Sequence, residues 1–272
     1  MVDFAFLDSG TGGIPYMLTL KEKFPQCTCL YLGDTKHFPY GEKNSEDVIS
    51  CASDAINLII KNWNPKTIVI ACNTISVTAL DSLRKIYSDI PIVGTVPAIK
   101  LASKVSENKR IGLLATNATV NHPYCENLIK LYAADCHVIS RGDPELISFI
   151  EKNLFIASKE EKLNAVKKSV EFFKENNCDT IILGCTHFTH IADEIKEIAG
   201  ENIKVIDSRE GVVNQAIKVE LDKNSFSTKT NNSIINDMSF FVTSATELEK
   251  EEYLKMCSSL NIPWGGILYN KM

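Results

Sequence analysis

Asn64-Pro65-Lys66-Thr67-Ile68-Val69-Ile70-Ala71-Cys72-Asn73-Thr74 runs β-branched residues into a small residue, a cysteine and two polar residues, and Asn177-Cys178-Asp179-Thr180-Ile181-Ile182-Leu183-Gly184-Cys185-Thr186-His187 repeats the wording. Each predicts a short buried strand that breaks at the cysteine into a turn and then a helix, since so brief an apolar run between polar residues suits a strand. The chain therefore builds the same thiol-bearing turn once in each half.

Outward from these turns the pattern continues. Strand-like runs at Asp3–Leu7, Cys29–Leu32, Thr67–Ala71, Pro91–Gly94, Arg110–Ala115, Thr180–Gly184 and Lys204–Asp207 alternate with helical patterns at Ser45–Trp63, Ala79–Tyr87, Pro144–Asn153 and Glu160–Asn176. That alternation predicts βαβ units on mainly parallel sheets flanked by helices, an α/β fold. Phe4-Ala5-Phe6-Leu7-Asp8-Ser9-Gly10-Thr11 and Arg110-Ile111-Gly112-Leu113-Leu114-Ala115-Thr116-Asn117 are each a strand breaking into a small polar loop, so the duplication extends beyond the cysteines. The seam is expected near Gly94–Ala98, with a second crossing near Asp207–Ser208. The expected domains are then residues 1–94 plus 208–272, and residues 95–207. Residues 222–236 are polar enough for an exposed loop before a helical stretch from Ala245 to Leu260, a tail expected to pack back on the first half.

A chain of 272 residues buries an ample core without a disulfide or metal staple. Its net charge of −5 and lack of Lys/Arg clusters give no electrostatic footprint for nucleic acid. The opening residues Met1-Val2-Asp3-Phe4-Ala5-Phe6-Leu7-Asp8 lack the basic flank of a signal peptide, and no apolar run approaches the about 18 residues of a membrane span. A cytoplasmic protein with no membrane partner is expected. Nine cysteines, odd in number and without repeated Cys-x-x-Cys spacing, then read as reduced thiols. Cys125, Cys136, Cys178 and Cys257 lack the strand-to-turn setting and read as structural.

In open parallel sheets the ligand sits outside the carboxyl ends of the strands, where Asp8, Cys72, Thr116 and Cys185 all fall. These loops are expected to converge on one crevice, with each cysteine near a helix start that favours a thiolate or a bound carboxylate. A single cysteine after an apolar run is most simply an inert buried thiol. The duplication is what favours chemistry, because two such thiols can treat both faces of a substrate alike.

Asp8-Ser9-Gly10-Thr11-Gly12-Gly13 matches neither the P-loop nor the dinucleotide fingerprint. Asp8 reads instead as a carboxylate assisting proton transfer, and Ser9 as a donor to a substrate carboxylate. His187 reads either as a satisfied buried histidine or as a hydrogen-bond partner that raises the thiolate fraction of Cys185. Cys185, His187 and His190 lack a fourth ligand, so no metal is expected. Gly33-Asp34-Thr35-Lys36-His37-Phe38-Pro39-Tyr40-Gly41 reads as a strand end and a turn.

Taken in order, Asp8-Ser9-Gly10, Gly33-Asp34-Thr35 with Pro39-Tyr40-Gly41, Ala71-Cys72-Asn73-Thr74, and Gly184-Cys185-Thr186-His187 resemble the cofactor-independent aspartate/glutamate racemase family over roughly residues 3–210. Thr116, Thr119, Tyr124 and Asp207-Ser208 also fit its pattern. The resemblance implies two pseudo-symmetric α/β domains with the active site in the cleft between them. It implies that Cys72 and Cys185 are the acid/base pair, Cys72 toward the D-isomer and Cys185 toward the L-isomer, assisted by Asp8 and His187. Ser9, Tyr40, Gly41, Asn73, Thr74 and Thr186 are then implied to bind the amino acid, with Thr116 and Thr119 at further substrate-binding positions.

The implied activity is interconversion of L- and D-glutamate without a cofactor, feeding D-glutamate to peptidoglycan, in a homodimer. The chemistry is consistent with this: removing an α-hydrogen requires a base on one face, an acid on the other and donors around the carboxylate. A thiol with a reference pKa of about 8.5 serves either role once tuned. Racemisation of aspartate or another amino acid, a thiol amidohydrolase using Cys185 and His187, and a non-catalytic amino-acid-binding protein are the alternatives. The chain departs from the family at Phe188-Thr189-His190, where an aromatic-Pro-aliphatic run is usual, and at Gly94-Thr95-Val96-Pro97-Ala98. These departures bear on the setting of His187 and on the pocket wall.

Overall fold

The computed structural model describes residues 2–222 and 237–269. Its strands are β1 (Val2–Asp8), β2 (Cys29–Gly33), β3 (Pro65–Ile70), β4 (Ile92–Gly94), β5 (Arg110–Ala115), β6 (His137–Gly142), β7 (Thr180–Leu183), β8 (Lys204–Ile206), β9 (Met238–Val242) and β10 (Trp264–Ile267). They form two sheets, in the orders β10-β9-β2-β1-β3-β4 and β6-β5-β7-β8. Every pairing is parallel. The α/β class follows, and the chain divides into one compact unit of Met1–Tyr40, Asn44–Thr95 and Arg209–Met272 and another of Gly41–Lys43 and Val96–Ser208.

The duplication is visible in the strand order. Within the first sheet β2-β1-β3-β4 has the connectivity that β6-β5-β7-β8 has in the second. Leu7 pairs with Ile70 in one and Leu114 with Leu183 in the other, so the residues beyond them correspond as Ala71 to Gly184 and Cys72 to Cys185.

In the first unit the helix Ser45–Trp63 shows why its residues fold as they do. Asn44 caps it by accepting the Asp47 N–H, and Asn64 ends it in the left-handed region at φ 44°. Val48, Ala52, Ala55, Ile56 and Ile59 recur at three- and four-residue spacing and are buried with Ala5, Leu7, Ile68 and Ile70 of the sheet. Each fully buried aliphatic side chain contributes about 1.5–3 kcal/mol, and Ile56→Ala would cost about 2–5 kcal/mol through the cavity it leaves. The other helical layer is anchored at the amino ends of the strands. There Lys66 lies 2.8 Å from Asp3 and 3.8 Å from the buried Glu220 of helix Arg209–Asp222. The Thr67 hydroxyl donates to the same Glu220 at 3.0 Å, which satisfies a carboxylate that would be costly to bury alone.

In the second unit Ile111, Leu113, Ala115 and Ile182 pack on Ile99, Ala102, Cys125 and Ala133. On Gly112 a Cβ would stand 2.5 Å from the ring of Phe173 in helix Lys159–Glu175, so only glycine lets that helix lie against β5.

Three strands were not expected from the sequence. β6 is a half-exposed edge strand, β9 follows a long polar stretch, and β10 contains two adjacent glycines. β9 pairs with β2, which brings the C-terminal strands onto the first sheet. The helix expected at Ala79–Tyr87 begins earlier, at Asn73, directly after the cysteine. Apart from Asp222, the exposed loop expected over residues 222–236 lies outside the described residues. No helix among the described residues is long and apolar enough to cross a membrane.

Candidate active site

Six expected residues gather at the carboxyl ends of the first unit's strands. Asp8 closes β1, and the adjacent strand β3 ends at Ile70, after which come Ala71 and then Cys72, Asn73 and Thr74, all buried. The Asp8 carboxylate is fully buried and organises the glycine loop: Oδ1 accepts the Ser9 N–H and Oδ2 accepts the Gly13 N–H, both at 2.7 Å. Tyr31 donates its hydroxyl to the Gly10 carbonyl at 2.9 Å and reinforces that fold. A Cβ on Gly13 would meet Ala71 Cβ at 2.5 Å, so glycine is needed for the loop to lie beside the cysteine turn.

Cys72 is extended, at φ −141° and ψ 118°, and caps the α-helix Asn73–Ile86. The free N–H groups and positive dipole end of that helix favour negative charge at this point. Asn73 is 2% exposed, and neither its amide nitrogen nor its amide oxygen has a hydrogen-bond partner. An amide buried in that state costs about 1–3 kcal/mol.

Tyr40 donates its hydroxyl to Asp34 Oδ2 at 2.5 Å. Burial first, then the Asp34 charge and that hydrogen bond, push the phenol above its ordinary pKa, with Cys51 and Cys72 adding to the effect. Tyr40 is therefore a protonated donor at neutral pH.

The second unit assembles the other six. Thr116 follows β5 and caps the short helix Asn117–Val120 by accepting the Thr119 N–H at 3.0 Å, while its own hydroxyl reaches Thr119 Oγ1 at 2.9 Å. Gly41 groups with this unit, where a Cβ would come 3.2 Å from Thr116 Cβ. Cys185 repeats the extended conformation of Cys72, at φ −128° and ψ 138°. The segment after Cys185 differs from the expected helix. Thr186–Ile191 is a 3-10 turn, in which Phe188 N–H bonds back to the Cys185 carbonyl and the Thr189 hydroxyl to the Thr186 carbonyl. A β-branched and aromatic run with a side chain bonding its own backbone favours that tighter turn over an α-helical first turn.

His187 lies in this turn with its Nδ1 3.7 Å from Cys185 Sγ and its Nε2 2.8 Å from Glu151 Oε2. Burial alone would lower the imidazole pKa, but the hydrogen bonds and charges of Cys185 and Glu151 outweigh it and hold the ring well above its ordinary value. The ring thus stands between the Cys185 sulfur and the Glu151 carboxylate, with one nitrogen facing each. Burial leaves Cys125 and Cys178 with thiol pKa values pushed up to about 11, and Cys257 to about 12. Among the described residues, no group of three or more His, Cys, Asp or Glu side chains is placed to hold a metal ion.

Two features escaped the sequence reading. Glu151, on helix Pro144–Asn153, carried no motif; only its place one turn beyond the buried Ile147 put it at the edge of an apolar face. Gly142-Asp143, after β6 of the second sheet, repeats Gly33-Asp34, after β2 of the first, since Asp34 N–H bonds the Asp8 carbonyl at 2.8 Å and Asp143 N–H bonds the Ala115 carbonyl at 3.2 Å. Aligning the halves along their strand ends would have found that pair.

A family described as Asp/Glu/Hydantoin racemase matches residues 18–216. The glutamate racemase of Treponema pallidum is 40% identical over 216 residues, covering 79% of this chain and 80% of that protein. That of Pasteurella multocida is 38% identical over 246 residues, 90% of each. Among solved structures, Escherichia coli glutamate racemase in complex with L-glutamate and the activator UDP-MurNAc-Ala superposes with a TM-score of 0.83 at 25% identity, over 99% of this chain and 98% of that one. Picrophilus torridus aspartate racemase, at 18% identity, shares the fold with a TM-score of 0.58 over 80% of this chain and 93% of its own.

Proposed function

The chain belongs to the Asp/Glu/Hydantoin racemase family, and on that premise we propose that it interconverts L- and D-glutamate with Cys72 and Cys185 as its two bases. The observation that carries the reading is the matched placement of the two thiols, each two residues past the end of a corresponding strand in sheets of the same strand order.

The α-hydrogen of an amino acid is a weak acid, so the carbanion formed by its removal requires stabilisation as it develops. In the L-to-D direction the Cys185 thiolate, held by the His187 imidazolium, takes the proton, and the Cys72 thiol delivers one to the opposite face. In the D-to-L direction the roles exchange. Positioned acid/base groups of this kind contribute about 10²–10⁴-fold each. By family resemblance, Ser9, Asn73, Thr74, Thr116, Thr119 and Thr186 supply the donors that hold the substrate carboxylates and the acceptors that hold its ammonium group. Asp8 fixes the loop carrying Ser9, and Glu151 fixes the orientation of the His187 ring. The residues present supply base, acid and donors, and the reaction proceeds without a cofactor. The enzyme acts in the cytoplasm as a homodimer and supplies D-glutamate to peptidoglycan, a placement that rests on its family.

Purified protein given L-glutamate with chelator and without pyridoxal phosphate should drive it to an equal mixture of enantiomers. Aspartate, one methylene shorter, should be turned over about 10–200-fold less efficiently. Failure to form D-glutamate, or a preference for aspartate, overturns the substrate assignment.

A second reading has one observation behind it, because Cys185, His187 and Glu151 line up as thiol, imidazole and carboxylate. A thiol amidohydrolase built on them has no use for Cys72 and would keep its activity in Cys72→Ser.

A further inference from the structure

The corresponding aspartates after β2 and β6 are put to different uses. Asp143 accepts the Leu146 N–H at 2.9 Å and the Ser169 hydroxyl, and so caps a helix. Asp34 caps nothing. It is 1% exposed, and its two oxygens take three side chains: Oδ2 accepts the Tyr40 hydroxyl at 2.5 Å and faces His37 Nδ1 at 2.8 Å, and Oδ1 accepts the Thr243 hydroxyl at 2.7 Å.

Thr243 directly follows β9, a strand with no counterpart in the second sheet among the described residues. Its hydroxyl has both hydrogen-bonding roles filled, donating to Asp34 and accepting the Lys36 N–H at 3.0 Å. The next residue repeats the contact, since Ser244 N–H donates to Thr35 Oγ1 at 3.1 Å and the Thr35 hydroxyl returns a bond to the Ser244 carbonyl. The end of β9 therefore grips the loop that carries Tyr40 at three successive residues, Asp34, Thr35 and Lys36. A carboxylate with one oxygen held by Thr243 and the other shared by Tyr40 and His37 has a single rotamer, and the phenol that bonds to it has one direction.

We infer that Thr243 is a positioning residue for substrate binding, acting through Asp34 on Tyr40, so that the strand outside the duplicated core sets the geometry of the first unit's substrate loop. The inference rests on the reading of Tyr40 as a substrate-binding group. Tyr40 is not one of the two bases, so loosening it weakens binding of both enantiomers and leaves proton transfer by the thiols largely intact.

Thr243→Val keeps the shape and removes the hydroxyl, Thr243→Ser keeps the hydroxyl, and Thr243→Ala serves if the valine variant does not fold. Loss of a hydrogen bond to a charged group should raise KM for L- and D-glutamate about tenfold in the valine or alanine variant, with kcat within about threefold, and serine should restore most of the affinity. Hydrogen–deuterium exchange over residues 35–41 of the unliganded protein should quicken in the valine variant and not in the serine one. Equal KM in wild type and Thr243→Val, or the same change in valine and serine variants, overturns the inference, as does unchanged exchange. If wild-type protein fails to racemise glutamate, the substrate reading falls and the exchange comparison alone decides the positioning role.

Discussion

Cys72 and Cys185 leave corresponding strands with the same extended backbone, yet the two turns support their thiols by different means. Cys72 caps a helix of 14 residues and shares its unit with a protonated Tyr40 and with an Asp8 whose oxygens are committed to its own loop. Cys185 opens a six-residue 3-10 turn and has a titratable partner, His187, held by Glu151. A helix terminus is a fixed partial charge worth about 0.3–1 kcal/mol near a surface and is indifferent to pH. An imidazolium is a full charge that can be lost. A duplicated fold can thus keep the geometry of its two halves while assigning fixed electrostatics to one and pH-dependent electrostatics to the other.

The two halves are most sensitive at their sulfurs. Cys72→Ala and Cys185→Ala should each lower racemisation about 10²–10⁴-fold. Both directions must fall together, because enantiomers have equal free energy and kcat/KM is then the same from either side. The halves separate only by exchange without inversion. In D2O, Cys185→Ala should label D-glutamate at Cα through Cys72, and Cys72→Ala should label L-glutamate through Cys185. Labelling of both enantiomers by one single variant contradicts two separate bases.

Glu151→Gln probes the difference in pH response. It removes one of the two groups that raise the His187 pKa, so the ring loses its proton at lower pH, and kcat/KM should drop about 10–100-fold at neutral pH. The alkaline limb of its pH profile should move downward, which a pH series of initial rates would detect. Stability follows the same sign. A raised folded pKa stabilises fully below the unfolded value of about 6.5, and that contribution is lost as pH rises through the folded value. The denaturant midpoint of Glu151→Gln should therefore fall furthest short of wild type at acid pH, and the gap should narrow on the alkaline side.

Asn73→Leu tests whether the unpartnered amide serves a ligand. Removing a buried group without hydrogen bonds should leave Tm unchanged or higher, while KM for glutamate rises about tenfold. A lower Tm with unchanged KM would make Asn73 structural.

The smallest effect comes from writing one half's sequence into the other. Gly184 corresponds to Ala71, but a Cβ there would sit 2.7 Å from Leu113 Cδ1 and 3.1 Å from the Leu114 carbonyl oxygen. Gly184→Ala should cost about 1 kcal/mol as Leu113 shifts, a Tm loss of about 3 °C by calorimetry, with activity retained.

Much of this was legible in the sequence because the signals were local. Runs such as Thr67–Ala71 and Arg110–Ala115 are buried on parallel strands, and the polar residues that end them fall at the carboxyl ends by topology alone. The matching strand order of the two sheets agrees with the repeat. β6 was lost because His137-Val138-Ile139-Ser140-Arg141-Gly142 lies half exposed at a sheet edge and mixes polar with apolar residues. β10 was lost because glycines at 265 and 266 carry no strand signal. Glu151 was invisible for a different reason: its partner lies 36 residues away, and a helical glutamate looks the same whether it meets water or a buried imidazole.

The two-thiol mechanism stands or falls on incubation of the purified protein with L-glutamate in D2O, with chelator and without pyridoxal phosphate, when optical rotation and deuterium at Cα are followed together. Rotation should decay to zero while one deuterium enters each D-glutamate formed, and Cys72→Ala and Cys185→Ala should each abolish the decay. Rotation that persists without deuterium entering Cα, or racemisation that survives loss of either cysteine, would contradict the mechanism.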